Sequence, residues 1–276
     1  MKFFDSHCHL QFEAFDGLTE SIVSDMIKSD SKAIIVGSSI ESSKEGVLLS
    51  KKYPQCLYSS VGVHPVHSLD FEIYKDGSER KISVEYPQDL NKLRELIDDN
   101  VKAIGECGID FSYLRGLNGN DEQIAEWKEK QINRFQFQIN LAKEFNLPLI
   151  LHIRKEYMMG LDILNQMDFK GKVLFHFFKG KYSDFEEILK YSNCYFSFSN
   201  IVTYDDSMDK VLKDMPLDRF MIETDAPYVS PIGKKGEINE PKNVFYVAEK
   251  ISKVKDMNIE DVLDISYDNA MKFFNI

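Results

Sequence analysis

The stretch Asp5-Ser6-His7-Cys8-His9 ends the first apolar run of this 276-residue chain, which Phe3 and Phe4 begin. Side chains at positions i and i+2 of a β-strand point to the same face, so a strand here presents the imidazoles of His7 and His9 side by side. Two neutral imidazoles at this spacing suit zinc, manganese, iron or a similar divalent ion. The same spacing also occurs at ordinary polar strand ends, so the rest of the chain has to decide between the two interpretations.

Seven further apolar runs of strand length follow the first one. Together the eight predicted strands cover residues 2–6, 32–37, 56–62, 101–106, 147–152, 173–177, 194–198 and 220–223. Most are continuously apolar, which is typical of parallel strands buried on both faces. Helical segments separate them, and two closing helices are predicted at about 241–254 and 259–273. We therefore predict an α/β fold, a single (β/α)8 TIM-type barrel with extra C-terminal helices, with residues 1–276 as one domain.

The composition is that of a soluble globular protein, with 43% hydrophobic and 29% charged residues. No apolar run reaches the length of a membrane span or of a signal peptide, and the four cysteines lack C-x-x-C spacing, as expected of reduced thiols. We therefore expect a cytoplasmic protein, with the nucleus as a second compartment and no membrane partner. The net charge of −11 excludes a protein that coats nucleic acid by general electrostatics, but it allows a local basic patch.

The histidines concentrate at the predicted carboxyl ends of the strands, which is where the active site of such a barrel lies. Five of the six histidines occupy these ends, and the sixth, His67, follows closely after one of them. Unrelated core histidines would be scattered over helices and strands alike. The polar residues that this edge brings together are His7, His9, His64, Glu106, His152, His176 and Asp225.

Six of these residues form a predicted site for two divalent ions, with magnesium, manganese and zinc as candidates. The predicted metal ligands are His7, His9, Glu106, His152, His176 and Asp225. Two of the six are also predicted to be catalytic. The Glu106 carboxylate can bridge the two ions, and Asp225 can both ligate one ion and accept the proton of the attacking water.

Two further residues are candidates for substrate binding. His64 sits on the same rim without a paired ligand, so substrate contact, support of a ligand and a purely structural role all remain open. Arg154 follows the fifth strand and is predicted to hold a phosphate group. The lysines predicted near the mouth, at positions 155, 179, 181, 234, 235 and 242, are either further phosphate contacts or ordinary solvated residues.

Five motifs follow one another along the chain: DSHCHL at 5–10, GVHP at 62–65, IGECGID at 104–110, PLILHIR at 148–154 and ETDAP at 223–227. In this order they resemble the motifs of the TatD family of metal-dependent deoxyribonucleases, which are amidohydrolase-like TIM-barrel hydrolases. The resemblance implies divalent-metal dependence and hydrolysis of DNA phosphodiester bonds, as a 3′–5′ exonuclease acting on single strands or 3′ ends. It also implies six metal ligands, which map onto the set reached from the strand ends.

The chain departs from the family pattern at three places. Lys179 precedes Gly180 where a small residue is usual, and Ile238 stands where a basic residue is common. The segment 67–87 looks longer than usual and is predicted to be an insertion at the barrel mouth or a lid. These departures concern the fit of the substrate rather than the metal site.

Two other functions stay compatible with the sequence. One is a metal-dependent hydrolase of a cyclic amide or ester on the same barrel, because such a site activates water for several electrophiles. Enzymes of that kind often carry a carboxylated lysine on the fourth strand, where this chain has Glu106. The other is a non-catalytic metal-binding interaction protein, against which the complete ligand set, including Asp225, weighs.

Overall fold

The computed structural model describes residues 1–68, 73–74, 81–82, 89–114 and 120–276. Eight parallel strands form the main sheet and pair with one another in chain order. They are β1 (Phe4–Cys8), β2 (Lys32–Val36), β3 (Leu57–Val61), β4 (Val101–Ile109), β5 (Leu149–Ile153), β6 (Val173–Phe175), β7 (Cys194–Phe198) and β8 (Phe220–Ile222). All eight predicted strands are confirmed, although β1 and β4 extend further toward the carboxyl end than predicted.

The sheet closes between its first and last strands. Asp225 N–H donates to the carbonyl of His7 at 2.9 Å, and His9 N–H donates to the carbonyl of Ala226 at 2.7 Å. Cys8 and Ala226 also form a parallel β-bridge. These contacts lie at the carboxyl end of the barrel and therefore hold the edge that carries the predicted ligands. The predicted (β/α)8 TIM-type barrel is confirmed.

Helices alternate with the strands along the chain and pack on the outside of the sheet. They are α1 (Thr19–Lys28), α2 (Ile40–Lys52), α3 (Asn91–Leu96), α4 (Asp121–Phe145), α5 (Tyr157–Gln166), α6 (Tyr182–Leu189), α7 (Asp209–Asp214), α8 (Val244–Lys255) and α9 (Ile259–Phe274). The long α4 begins after Asn120, whose side chain and that of Gln123 form a capping box. The last two helices are the predicted C-terminal additions. No helix among the described residues is long and apolar enough to cross a membrane.

A cluster of apolar side chains fills the inside of the barrel. Its members include Phe4, Ile34, Ile150, Leu174 and Met221 from the strands and Tyr267, Ala270, Phe273 and Phe274 from α9. Ile150 lies two residues before His152, so the two side chains share one face of β5. The rings of Phe4 and Phe274 stack with their centroids 5.9 Å apart. Helix α9 therefore closes the amino end of the barrel, and the polar residues collect at the other end.

β1 and β4 each contain a shift of register, between Asp5 and Cys8 in β1 and between Ile104 and Cys107 in β4, and each shift encloses a predicted ligand. A bulge of this kind adds a residue to one strand, so that side chains three positions apart face the same side. Phe4 and Ala103 belong to the interior cluster. His7 and Glu106, three residues further along, reach the interior as well because of these shifts.

The predicted insertion over residues 67–87 lies mostly outside the described residues. The structure describes its beginning, at His67 and Ser68, and a short antiparallel pair of strands, Ile73–Tyr74 with Lys81–Ile82. Its role as an insertion at the mouth or a lid therefore stays a prediction.

Candidate active site

The structure brings the six predicted metal ligands together at the carboxyl end of the barrel, with Glu106 at their centre. Glu106 Oε1 lies 2.8 Å from His152 Nδ1 and 2.9 Å from His176 Nε2. Glu106 Oε2 lies 3.7 Å from His7 Nε2. One carboxylate on β4 therefore contacts imidazoles carried by β1, by β5 and by the residue that follows β6.

The other two predicted ligands adjoin His7. His9 Nε2 lies 3.3 Å from His7 Nε2. Asp225 Oδ1 lies 3.6 Å from His7 Nε2 and 3.4 Å from His9 Nε2. The carbonyl of Val36 lies 2.8 Å from His9 Nδ1 and accepts the hydrogen on that nitrogen, which leaves Nε2 free to bind a metal ion.

Two glycines in β4 let Glu106 reach its position. The φ angle of Gly105 is +147°, and a Cβ atom there would lie 2.5 Å from the carbonyl oxygen of Ile150. Gly108 has a φ of +141°, and a Cβ atom there would collide with the carbonyl oxygen of His152. Glycine alone adopts such angles without strain and allows so close an approach. β4 can therefore lie near enough to β5 for Glu106 to contact His152.

Among the residues that the structure describes, three groups of side chains offer ligand atoms that lie within 4.8 Å of one another. They are His7 with His9 and Glu106, His64 with Glu106 and His152, and His7 with His176 and Glu223. Glu106 is shared by the first two groups. The Nε2 atoms of His7 and His9 are 3.3 Å apart, a spacing also found between His152 Nδ1 and His176 Nε2. Two nitrogens bound to one tetrahedral zinc ion are about 3.4 Å apart, so the residues present fit a divalent metal ion.

The carboxylates and imidazoles of the site shift one another's pKa values in both directions. Burial alone would raise the pKa of Glu106, but the neighbouring imidazoles of His176 and His64 hold that pKa well below its usual range. Burial and the adjacent His176 lower the pKa of His7 well below its usual range. Glu106 is therefore ionised and His7 is neutral with a free lone pair. Against the effect of burial, nearby carboxylates raise the pKa values of His9, His152 and His176, so a divalent ion has to displace protons from these imidazoles in order to bind.

Two buried carboxylates that sequence reasoning missed stand behind the histidines. Glu223 Oε1 lies 3.4 Å from His176 Nδ1 and accepts a hydrogen bond from Phe177 N–H at 2.8 Å. Asp110 Oδ2 lies 3.2 Å from His152 Nε2. Such carboxylates orient a ligating imidazole and increase its basicity. The available signal was their place in motifs that also contain a predicted ligand, since Glu223 belongs to ETDAP and Asp110 to IGECGID.

Asp5 is a third buried carboxylate that sequence reasoning left without a role. One of its oxygens accepts hydrogen bonds from His7 N–H at 3.2 Å and from Thr224 N–H at 3.0 Å, and the other accepts from the Thr224 hydroxyl. Asp5 is fully buried. Asp5 therefore fixes the backbone of His7 relative to Thr224, the residue before Asp225.

The two predicted substrate contacts occupy different depths. His64 is buried, and its Nε2 lies 3.7 Å from Glu106 Oε1, beside the predicted ligands. Its Nδ1 accepts a hydrogen bond from Val66 N–H at 3.0 Å, which places the hydrogen of the neutral ring on Nε2. Arg154 directly follows β5 and its side chain is exposed at the rim. Contact of either residue with a substrate stays a prediction.

A profile of the family described as TatD related DNase matches residues 4–275. The chain belongs to the TatD family. One relative of this TatD chain is YabD of Bacillus subtilis, an uncharacterized metal-dependent hydrolase that is 32% identical over 99% of both chains. Another is the human deoxyribonuclease TATDN3, 31% identical over 98% of this chain and 93% of the relative. The family resemblance found in the five motifs is confirmed.

The barrel is also similar to solved structures of the TatD family. The crystal structure of YJJV, a TatD homolog from Escherichia coli, has a TM-score of 0.80 and 25% sequence identity, and the match covers 99% of this chain and 98% of that one. A TatD family hydrolase from Entamoeba histolytica has the same TM-score of 0.80 at 21% identity, which shows the shared fold. The chain is thus a member of a family of metal-dependent hydrolases.

Proposed function

We propose that this protein is a divalent-metal-dependent deoxyribonuclease that shortens DNA from the 3′ end, with single strands or 3′ ends as its substrate. The observation that carries the proposal is Glu106, whose Oε1 lies 2.8 Å from His152 Nδ1 and 2.9 Å from His176 Nε2, while its Oε2 faces His7 Nε2 at 3.7 Å. A carboxylate shared in this way suits a pair of ions, and paired ions are common in enzymes that hydrolyse phosphodiester bonds.

The proposed metal ligands are the six residues predicted from the sequence, and the ions are magnesium, manganese or zinc. When bound, such ions polarise the phosphodiester and lower the pKa of water. Asp225 is the proposed base, because its side chain is 17% exposed, against 6% for Glu106, and so it can meet a water molecule from the mouth. A carboxylate within hydrogen-bond reach of that water accepts its proton at Oδ.

The substrate is proposed to bind through the rim. Arg154 can donate two parallel hydrogen bonds to a phosphate from its exposed position. His64 carries its hydrogen on Nε2, which faces the ligand cluster, and so can donate to a phosphate oxygen there. The human relative named deoxyribonuclease supports DNA as the phosphodiester.

Aromatic side chains beside the ligands support a nucleotide rather than a cyclic amide. The ring of Phe12 stacks on that of His9 with 4.7 Å between the ring centroids. The ring centroid of Tyr228 lies 6.2 Å from that of His9. Phe177 lies 6.2 Å from His176 on the other side of the cluster. Nucleobases stack on aromatic rings without regard to sequence.

Replacing Tyr228 by alanine is expected to raise the KM for an oligonucleotide about five- to 150-fold, the usual range for one stacked base, with little change in kcat. Tyr228 is 36% exposed, so its loss leaves no large cavity. The matched control is Tyr228→Phe, which keeps the ring and should keep the KM near that of the wild type. An unchanged KM in the alanine variant would show that Tyr228 does not contact the substrate.

The experiment that tests the function uses metal-depleted protein restored with magnesium, manganese or zinc. Single- and double-stranded DNA labelled at either end serves as the substrate. We expect the 3′ label to be released at once and the 5′-labelled strand to shorten stepwise, with about two ions per chain by elemental analysis. Absence of cleavage with every metal would refute the proposal. Early release of the 5′ label would show that the protein degrades DNA from the 5′ end instead.

The remaining predictions also stay proposals. We propose that residues 1–276 act as one catalytic domain, which is supported by a family match over 4–275. All four cysteines are buried and free, which supports a reducing compartment such as the cytoplasm.

A further inference from the structure

The turn that follows β8 carries both Asp225 and Tyr228 in an uncommon backbone conformation. Asp225 has a φ of +57° and Val229 a φ of +51°. Positive φ is rare for residues other than glycine, and for a β-branched residue such as valine it is an outlier. Backbone of this kind persists only where the surroundings hold it in place.

The side chain of Asn239 forms several hydrogen bonds to this turn. Its Nδ2 donates to the carbonyl oxygens of Thr224 at 3.0 Å, Tyr228 at 2.7 Å and Val229 at 3.1 Å. Its backbone N–H donates to the carbonyl of Pro227 at 3.2 Å. Asn239 is fully buried. A single residue therefore contacts the residue before Asp225 and both residues at the far end of the turn.

Asn239 is itself anchored to other elements of the barrel. Its Oδ1 accepts hydrogen bonds from Asn243 Nδ2 at 2.8 Å and Glu240 N–H at 3.0 Å. Asn200 Nδ2, in the segment after β7, lies 3.4 Å from the same oxygen. The side-chain amide of Asn239 therefore links the turn to the residue before α8 and to the segment after β7, so the turn cannot move independently of them.

Asp225 is held from the opposite side by β1. Its own N–H donates to the carbonyl of His7 at 2.9 Å, and the preceding Thr224 donates to Asp5. The β1 contacts fix the backbone at one end of the turn, and Asn239 fixes the other end. The direction of the Asp225 carboxylate toward His7 and His9 depends on both.

We propose that Asn239 is a positioning residue that sets the Asp225 carboxylate against His7 and His9, and so controls metal affinity and turnover without contacting metal or substrate. The part that concerns turnover rests on the proposed deoxyribonuclease function. Replacing Asn239 by aspartate keeps the oxygen that accepts from Asn243, but it puts a second oxygen against three carbonyl oxygens. The turn must then move and carry Asp225 with it.

The chain contains a matched control for this change. Asn269 on α9 is also buried, and its Nδ2 donates to the carbonyls of Leu217 and Phe220, at 2.8 Å each. These acceptors lie at or before the start of β8, at the opposite end of the strand from Asp225. Asn269→Asp therefore also places a carboxylate oxygen against backbone carbonyl oxygens, but it does so away from the site.

The test compares Asn239→Asp with Asn269→Asp in the full chain. The melting temperature reports stability, and the electron paramagnetic resonance of free Mn²⁺ gives the Mn²⁺ affinity. Turnover is measured as kcat and KM on a single-stranded oligonucleotide. We expect both variants to melt at lower temperature. Only Asn239→Asp should bind Mn²⁺ about 10- to 100-fold more weakly and lose kcat to a similar extent at saturating Mn²⁺. Asn239→Ala, with Asn269→Ala as its control, replaces the pair if the aspartate variant does not fold.

Two results would overturn the proposal. One is a folded Asn239 variant with wild-type Mn²⁺ affinity and kcat, and the other is an equal loss in the Asn269 variant. If neither Asn239 variant folds, the residue serves the stability of the barrel and the proposal is wrong. Should the wild-type protein bind Mn²⁺ but leave DNA intact, the deoxyribonuclease function fails, while the comparison of Mn²⁺ affinities still decides the role of Asn239.

Discussion

Glu106→Ala is expected to empty both metal positions and to lower turnover by at least about 10³-fold, since the bound ions supply several kcal/mol of transition-state stabilisation. The physical reason is the central place of this carboxylate. Its two oxygens face His152 and His176 on one side and His7 on the other. Without it, the imidazoles lose the negative charge that attracts a cation. Elemental analysis and single-strand cleavage on the same samples measure both effects.

The control for this variant is Glu122→Ala, which removes an exposed glutamate from the first turn of α4 and should leave metal content and turnover unchanged. Circular dichroism of Glu106→Ala has to show an intact barrel for the comparison to count. Loss of only one ion would make Glu106 a ligand of a single metal. The proposed pair of ions joined by this residue would then be wrong.

Asp225→Asn is expected to keep the fold and much of the metal while turnover falls about 10²- to 10⁴-fold, the usual contribution of a general base. An amide has nearly the same shape as a carboxylate and its oxygen can still ligate weakly. It cannot accept a proton at neutral pH. The measurement is turnover of a 3′-exposed single-stranded oligonucleotide, with metal content determined on the same samples.

The control here is Asp218→Asn, which lies just before the amino end of β8 and whose side chain is 67% exposed. It should behave as the wild type. A wild-type rate in Asp225→Asn would mean that another group accepts the proton. Loss of metal together with activity would show that Asp225 is chiefly a ligand, and the base would then have to be sought elsewhere.

The architecture and the ligand set followed from local patterns. Parallel strands buried on both faces appear in the sequence as continuous apolar runs. Eight such runs, separated by helical segments, predicted the barrel from the sequence alone. Because the carboxyl ends of such strands meet at one edge, residues as far apart as His7 and Asp225 could be grouped without knowing a single distance. The same reasoning selected Glu106 and His152, and the structure brings all four together.

Contacts between distant segments decided the rest. The period of two explains why His7 and His9 share a face, but only the bulges in β1 and β4 explain how His7 and Glu106 reach the interior that Phe4 and Ala103 also face. A bulge depends on the pairing of two strands, and the local signals present here, Gly105 and Gly108 in β4, do not show how the pairing shifts.

The supporting polar residues were hidden for the same reason. Asp110 and Glu223 stand behind His152 and His176 because the carboxyl ends of different strands converge at one edge of the barrel, and the sequence of one motif does not show which residue of another motif it contacts. Asn239 is the clearest case, since every contact that gives it a role is a hydrogen bond to a turn or helix that tertiary folding brings within 3.4 Å. The sequence could name the groups that we propose as metal ligands, but it could not name the groups that fix their positions. Ligand chemistry is a property of the side chain, whereas positioning is a property of the packing around it.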